Sequence, residues 1–341
     1  VCPMQAKIKN NTKQYAFAAF AKENRTRFEG SSGGMFGVFA KYLLDHGYII
    51  YGAAFNENMY LKCTSATSLK SMTPLYKSKY LQSDLTDSYT EIRDQLNSGG
   101  KILFVSTPCQ IHALKSFLGK NFPGLLTVDF FCHGVPSQKF FNQCRAFDEK
   151  RLKGKVLDYE FRTKKKHGTT PHYFTLIYEK NGSKKKIVYY YFASPFYAVF
   201  QKYINLRESC YYCRFAGATR SSDITIGDFH EIDNYVDGIN RFDGVSTVVI
   251  NSPRGKQLWE NCYDMIQSYP VELEKMIADG VCFGAGTERP DDREAFLADY
   301  ENMKTEDLIR KWENPKQYWK QRIYYSLPAK IRKKIKKLVG E

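Results

Sequence analysis

Two stretches built to one plan constrain this fold more than anything else in the chain. KILFVSTPCQIHALKSFLG (101–119) and LLTVDFFCHGVPSQKFFNQCRAF (125–147) each run from a continuous apolar strand, through a tight turn, into a helix. Gly119 is placed to end the first helix. Strands that are apolar on both faces and separated by a helix are expected to lie parallel in one covered sheet. In both stretches a thiol follows the strand directly: Cys109 in the first, Cys132 in the second.

The flanking sequence extends the same grammar. YAFAAF (15–20) reads as a strand, and EGSSGGMFGVFAKYLLDHG (29–47) as a turn and helix. Ser31 and Ser32 are expected to cap that helix, Phe36, Phe39, Tyr42 and Leu43 recur at its spacing, and Gly47 stops it. YIIYGAAF (48–55) is a further strand. Between 156 and 192 the segments VLDYEFR, HYFTLIYEK and KKIVYYYF alternate around Asn181-Gly182-Ser183, which predicts an antiparallel hairpin. SDITIGDF and GVSTVVINS supply two more strands, and SPRGKQLWENCYDMIQ a helix with Pro253 near its start. Beyond about 269 the chain is polar and helical in flavour. The expected fold is α/β with α+β elements. It has a mostly parallel sheet flanked by helices, an inserted antiparallel hairpin and a helical C-terminal tail.

With 341 residues, 43% of them apolar and 24 Phe and 25 Tyr among them, the chain can build the cores of two domains. No apolar run approaches a membrane span, and no secretory signal is expected. Nine scattered cysteines make a poor disulfide framework, so a reducing cytoplasm with metal or redox chemistry is expected. The net charge of +15 would suit nucleic acid, but ten Lys/Arg against two acids fall between 311 and 341, about half of the excess. The remaining clusters, Lys164-Lys165-Lys166 and Lys184-Lys185-Lys186, lie in expected loops or hairpins and read as solvated surface.

Cys210 and Cys213 form a Cys-x-x-Cys in RESCYYCRF. Taken alone the doublet leans toward zinc, yet no second doublet completes such a site. It leads into a loop, whereas a thioredoxin-type doublet opens a helix. Ligands of parallel sheets gather at the carboxyl ends of strands. Cys109 and Cys132 can therefore join the doublet as four thiolates, enough for a tetrahedral zinc site or an iron–sulfur cluster. The plainer alternative for Cys109 and Cys132 is a pair of small buried residues. Cys63 falls in an expected loop, and Cys144, Cys262 and Cys282 read as core or surface thiols. SSGG at 31–34 stands at a helix start that suits a phosphate, without the ending of a P-loop; an ordinary capped helix is the alternative. His133 is either a donor behind the thiols or a satisfied polar core group, and Pro108 fixes the turn that presents Cys109.

Taken in order, EGSSGGMFGVFAKYLLDHGYIIYGAAF, SKYLQSD, TPCQIHALK, VDFFCHGVPS, RESCYYCRF and RSSDITIGDF resemble the coenzyme F420 hydrogenase/dehydrogenase beta-subunit family, over roughly residues 13 to 260. The resemblance implies an oxidoreductase with FAD beside a [4Fe–4S] cluster, exchanging hydride with a deazaflavin-type coenzyme or another small molecule. It implies Cys109, Cys132, Cys210 and Cys213 as cluster ligands. It assigns the flavin region to Ser31, Ser32, Gly33, Gly34, Lys79, Tyr80, Thr107, Arg220, Asp223, Gly227 and Asp228, with Arg220 balancing the pyrophosphate or a reduced flavin. His133 becomes a candidate for proton delivery.

Cys2-Pro3, with Ala6 behind, resembles the end of a two-cluster ferredoxin module. This implies a truncated sequence with further [4Fe–4S] clusters upstream, and ferredoxin or a fused module as electron donor. The expected segments are a remnant of that module (1–12), two parts of the flavin and cluster domain (13–95 and 96–268), and a basic helical tail (269–341). Two departures bear on the second substrate. His230 stands where relatives often have Trp, and Ser78 where Gly is common. In the tail, Leu327, Ile331, Ile335 and Leu338 alternate with lysines and Arg332 as a basic amphipathic helix. Such a helix suits the anionic inner face of a membrane, an acidic partner, or packing on its own domain. Two rival functions stand beside the redox reading: a zinc-stabilised four-cysteine protein binding nucleic acid through its basic surface, and a thiol enzyme with Cys109 as nucleophile.

Overall fold

The computed structural model describes residues 13–164, 173–191 and 194–313, with the isolated positions 327 and 331. Cys2, Lys165, Lys166 and the tail helix, apart from Leu327 and Ile331, lie outside the described residues. The strands are β1 (Tyr15–Ala21), β2 (Tyr48–Phe55), β3 (Leu61–Ala66), β4 (Lys101–Val105), β5 (Leu125–Phe130), β6 (Lys155–Thr163), β7 (Tyr173–Lys180), β8 (Ser183–Tyr190), β9 (Ile224–Asp228), β10 (Ser246–Ile250) and β11 (Ile266–Val271). The helices are α1 (Asn24–Glu29), α2 (Met35–Asp45), α3 (Leu69–Met72), α4 (Ser88–Asn97), α5 (Pro108–Leu118) and α6 (Gln138–Leu152). They continue with α7 (Pro195–Phe200), α8 (Glu208–Tyr211), α9 (Pro253–Asn261), α10 (Leu273–Ala278), α11 (Arg293–Asn302) and α12 (Thr305–Trp312).

The chain divides into two compact units, each assembled from separated segments. The first takes Val1–Val135, Arg162–Pro171 and Arg207–Glu288, and the second Pro136–Phe161, His172–Leu206 and Arg289–Glu341. At the centre of the first unit is an eight-stranded sheet in the order β11-β1-β10-β9-β5-β4-β2-β3. The strands β2, β4, β5 and β9 are parallel, with Tyr48 beside Lys101, Ile102 beside Leu125 and Val128 beside Ile224. This is the expected parallel core. Antiparallel strands flank it, β3 on one side and β10, β1 and β11 on the other.

Alternation along β4 feeds two cores. Ile102 and Phe104 pack with Ile111 and Leu114 of α5, while Leu103 joins Phe39 and Leu43 of α2. Since successive side chains of a strand leave by opposite faces, the sheet is covered on both. α5 ends as the sequence predicts, on Gly119 with φ +67°.

Two local expectations are corrected. β11 occupies a stretch read as helix and polar tail; its Pro270 is tolerated because β11 is the outermost strand, where a missing N–H costs no ladder bond. Ser31 and Ser32 do not cap α2. That helix starts at Met35 after Gly34, whose φ is +86°, so both serines stand too early to reach its free N–H groups. They tie other segments instead. Ser31 Oγ accepts the Ser78 N–H at 2.7 Å, and Ser32 Oγ donates to the Val245 carbonyl at 2.6 Å.

The second unit holds a three-stranded sheet, β6-β7-β8. β7 and β8 form the expected hairpin around Asn181 (φ +52°) and Gly182 (φ +69°), the two positive φ values of a type I′ turn. Phe140, Phe141, Tyr159, Phe161, Phe174 and Phe196 make its aromatic core. No helix among the described residues of either unit is long and apolar enough to cross a membrane.

Candidate functional site

The carboxyl ends of β4 and β5 are adjacent, and each hands the chain to a cysteine within four residues. Cys109 lies in the first turn of α5, where the Thr107 hydroxyl meets its sulfur at 3.2 Å. Cys132 follows β5. Cys210 lies in α8 and Cys213 just beyond it. The doublet is tied to the segment after Cys132 by the Arg207 N–H, which donates to the Val135 carbonyl at 2.9 Å. On its other side it is closely backed by Gly286, where a Cβ would stand 2.5 Å from the Tyr211 carbonyl.

These ties bring the four sulfurs within electrostatic reach of one another. Burial pushes the Cys109 thiol up, with further upward pressure from Cys213 and Cys210. Burial pushes Cys132 up to about 12, again with Cys109, Cys210 and Cys213 adding to the effect. Cys210 is raised by burial and by Cys213, against the Val135 amide and Arg207. Cys109, Cys132 and Cys210, each pushed up in part by neighbouring thiols, have with Cys213 the donor chemistry of a site completed by iron or zinc, which binds cysteines as thiolates. Backbone amides of Gln110, Gly134 and Val135 already point hydrogen bonds at three of the sulfurs. Among the described residues no three His, Cys, Asp or Glu side chains form a group that could hold one metal ion.

A second cluster surrounds the end of β9. Asp228 accepts from Arg162 at 2.7 Å, and the same guanidinium donates to the Tyr80 hydroxyl at 3.1 Å. His230 Nε2 lies 3.4 Å from Asp228. Burial works against the Asp228 carboxylate, but Arg162, His230 and Ser32 more than offset it and hold its pKa below the usual range. Desolvation keeps His133 toward its neutral form, against Asp228. The structure thus brings Ser32, Tyr80, Asp228 and His133 into one neighbourhood. Ser31 is linked to the same stretch as Lys79 and Tyr80 through Ser78, and Lys79 Nζ donates to the Tyr76 carbonyl at 2.7 Å.

Arg162 and Lys164 belong to this neighbourhood and carry no signal in the sequence. Arg162 is one more charged residue on an alternating strand. Lys164 heads a lysine run read as solvated surface, and for Lys164 that is corrected: it is 5% exposed, and its amine donates to the carbonyls of Arg27 and Ser32. Cys63 is likewise moved, from an expected loop into β3.

Four more of the expected flavin contacts have partners within the fold. Arg220 is buried, 3.6 Å from Asp129 and over the ring of Phe283. Asp223 accepts from the Thr127 N–H and hydroxyl and from Ser252, stapling β5 to the start of α9. Gly227 is covered by Phe131, whose ring comes within 2.1 Å of where a Cβ would be. Gly33 donates its N–H to Ser246 Oγ at 2.9 Å.

The family described as the C terminus of the coenzyme F420 hydrogenase/dehydrogenase beta subunit matches residues 99–275, a span that carries all four of these cysteines and more than half of the chain. No curated protein matches. A solved structure of the F420-reducing [NiFe] hydrogenase complex from Methanosarcina barkeri is similar, with 18% identity and a TM-score of 0.51 over 78% of this chain and 85% of that one. At that identity the likeness speaks for the fold. Together with the thiols at the strand ends, the family match makes this chain a member of the coenzyme F420 hydrogenase/dehydrogenase beta-subunit family, whose role is that of an oxidoreductase subunit.

Proposed function

We propose that the protein is an iron–sulfur flavoprotein oxidoreductase. A [4Fe–4S] cluster would be held by Cys109, Cys132, Cys210 and Cys213, and FAD around Ser31–Gly34, Lys79, Tyr80 and Asp228. Ferredoxin or a ferredoxin-like module would serve the electron side, and coenzyme F420 or another small molecule the hydride side. The observation that supports this reading is that Cys109 and Cys132 follow two adjacent parallel strands, and that Cys109, Cys210 and Cys213 all lie within electrostatic reach of Cys132. When bound, the cluster would supply one-electron transfer and the flavin would couple it to hydride transfer.

The chain's own groups have definable tasks. The Thr107 hydroxyl and the amides of Gln110, Gly134 and Val135 stabilise thiolate over thiol, since hydrogen bonds to an anion are the stronger kind. Arg162 fixes the position and charge of Asp228. His133, neutral at physiological pH, can accept a proton on a ring nitrogen.

Anaerobic purification with quantified iron, acid-labile sulfide and flavin tests the proposal. The expected result is a brown protein with about four irons per chain and flavin absorbance. A colourless protein with stoichiometric zinc would replace this reading with the zinc-stabilised one.

A further inference from the structure

Lys164 is the buried cation of this region with the most specific placement. Its Nζ donates to the Arg27 carbonyl at 2.6 Å and to the Ser32 carbonyl at 2.5 Å. The first is among the last carbonyls of α1, where a helix has no donors of its own left. The second lies in the turn that leads to α2. A third segment closes over the amine at Gly244, where a Cβ would stand 2.9 Å from Nζ and 2.4 Å from the Ser32 carbonyl. Arg27 Nε binds the Gly244 carbonyl at 2.9 Å, so the three segments form one closed joint.

The charges around this amine are mixed. α1 contributes Arg27, β6 Arg162, β9 Asp228, and the turn before β10 Asp243. Burial and then Arg27 push the lysine down, with Arg162 acting the same way and the two aspartates opposing, to about 7. A neutral amine has two N–H groups, as many as the two carbonyls take; protonation adds a third donor and a full charge. The joint therefore survives in both states, while its attraction for an anion does not.

We infer that Lys164 couples the Ser31–Gly34 turn to protons: an anionic cofactor group held at the turn binds together with one proton, taken from solvent onto the Lys164 amine. The inference rests on the proposal that FAD occupies this turn and adds to it a positioning residue and a pH dependence. Only an N–H bond forms, and the diphosphate binds as the anion it already is. Affinity is then highest where Lys164 is already protonated and declines as the free protein loses that proton.

The test is FAD titrated into the flavin-free full-length chain from pH 6 to 9, followed by flavin fluorescence and by calorimetry in two buffers of different ionisation enthalpy. Wild type is expected to bind with nearly constant affinity up to about pH 7, then to weaken by up to about tenfold per pH unit while taking up a proton. Lys164→Arg, whose charge persists throughout, is expected to lose that slope. Lys164→Met is expected to bind more weakly at pH 6 and also without the slope. Strong wild-type binding that ignores pH, or a Lys164→Arg protein that keeps the wild-type slope, overturns the inference and leaves the flavin reading standing. Absence of FAD binding at every pH overturns both.

Discussion

Arg162 and Asp228 are joined at 2.7 Å with side chains only 12% and 23% exposed, and Tyr80 is held by the same guanidinium. Arg162→Met would leave the carboxylate without its guanidinium partner. Breaking a fully buried pair costs about 3–5 kcal/mol, and partial exposure lowers the expectation to about 2–3 kcal/mol. Because the folded-state pKa of Asp228 is depressed, the pair's contribution is present above the ordinary carboxylate range and is lost as pH falls through the depressed value. Urea unfolding at pH 7 and near pH 3 should show a gap between wild type and variant that narrows in acid. A gap independent of pH would remove the ion pair from the explanation.

The four cysteines should behave as one set. Serine at Cys109, Cys132, Cys210 or Cys213 is expected to lower iron content severalfold. Cys63→Ser is the control, since that thiol sits on β3 and is pushed up to about 11 by burial. Iron assay after anaerobic purification decides it. Iron retained by any one of the four variants would remove that residue from the ligand set.

What the sequence made legible here was whatever local pattern controls. The runs ILFV and LLTV have no solvated face, so their burial in a parallel core follows from composition, and the cysteines after them inherit their place at the strand ends. The Asn181-Gly182 turn is read from the φ values it demands. Arg162 and Lys164 were not legible, because nothing near them in the chain indicates that Asp228, 66 residues away, and Ser32, 132 residues away, are their partners. β11 was missed for a similar reason. IQSYPV carries a proline and little alternation, and becomes a strand because β1 offers it an open edge.

Gly33 illustrates how tightly the turn is fitted. A Cβ there would stand 2.4 Å from the Ala19 carbonyl of β1 and 2.8 Å from the Ser246 amide of β10, both backbone and neither free to yield. Gly33→Ala is expected to cost about 2–3 kcal/mol. Gly47→Ala is the matched control. Its φ is +77° but nothing lies within 4 Å, so only backbone strain of about 1–2 kcal/mol is expected. Urea midpoints that place Gly33→Ala no lower than Gly47→Ala would refute the packing account.

Arg220 poses a sharper choice, between holding the fold and serving the cofactor. Its guanidinium and the Asp129 carboxylate are 3.6 Å apart with side chains 2% and 0% exposed, and burial raises the Asp129 pKa against the pull of Arg220. Arg220→Met would strand that carboxylate, costing about 3–5 kcal/mol at pH 7. The carboxyl can escape by taking a proton. Its folded-state pKa then lies further above the ordinary value, and the variant should lose stability as pH rises from about 4 toward neutrality. Adding Asp129→Asn removes the stranded charge and should restore most of the loss, because a buried pair replaced on both sides is close to neutral. Thermal melts of the single and double variants at pH 5 and pH 7.5 measure this, with FAD affinity taken on the same samples. A double variant that regains stability and binds FAD as wild type does places Arg220 in the fold alone. Regained stability with much weaker FAD binding would return it to the cofactor.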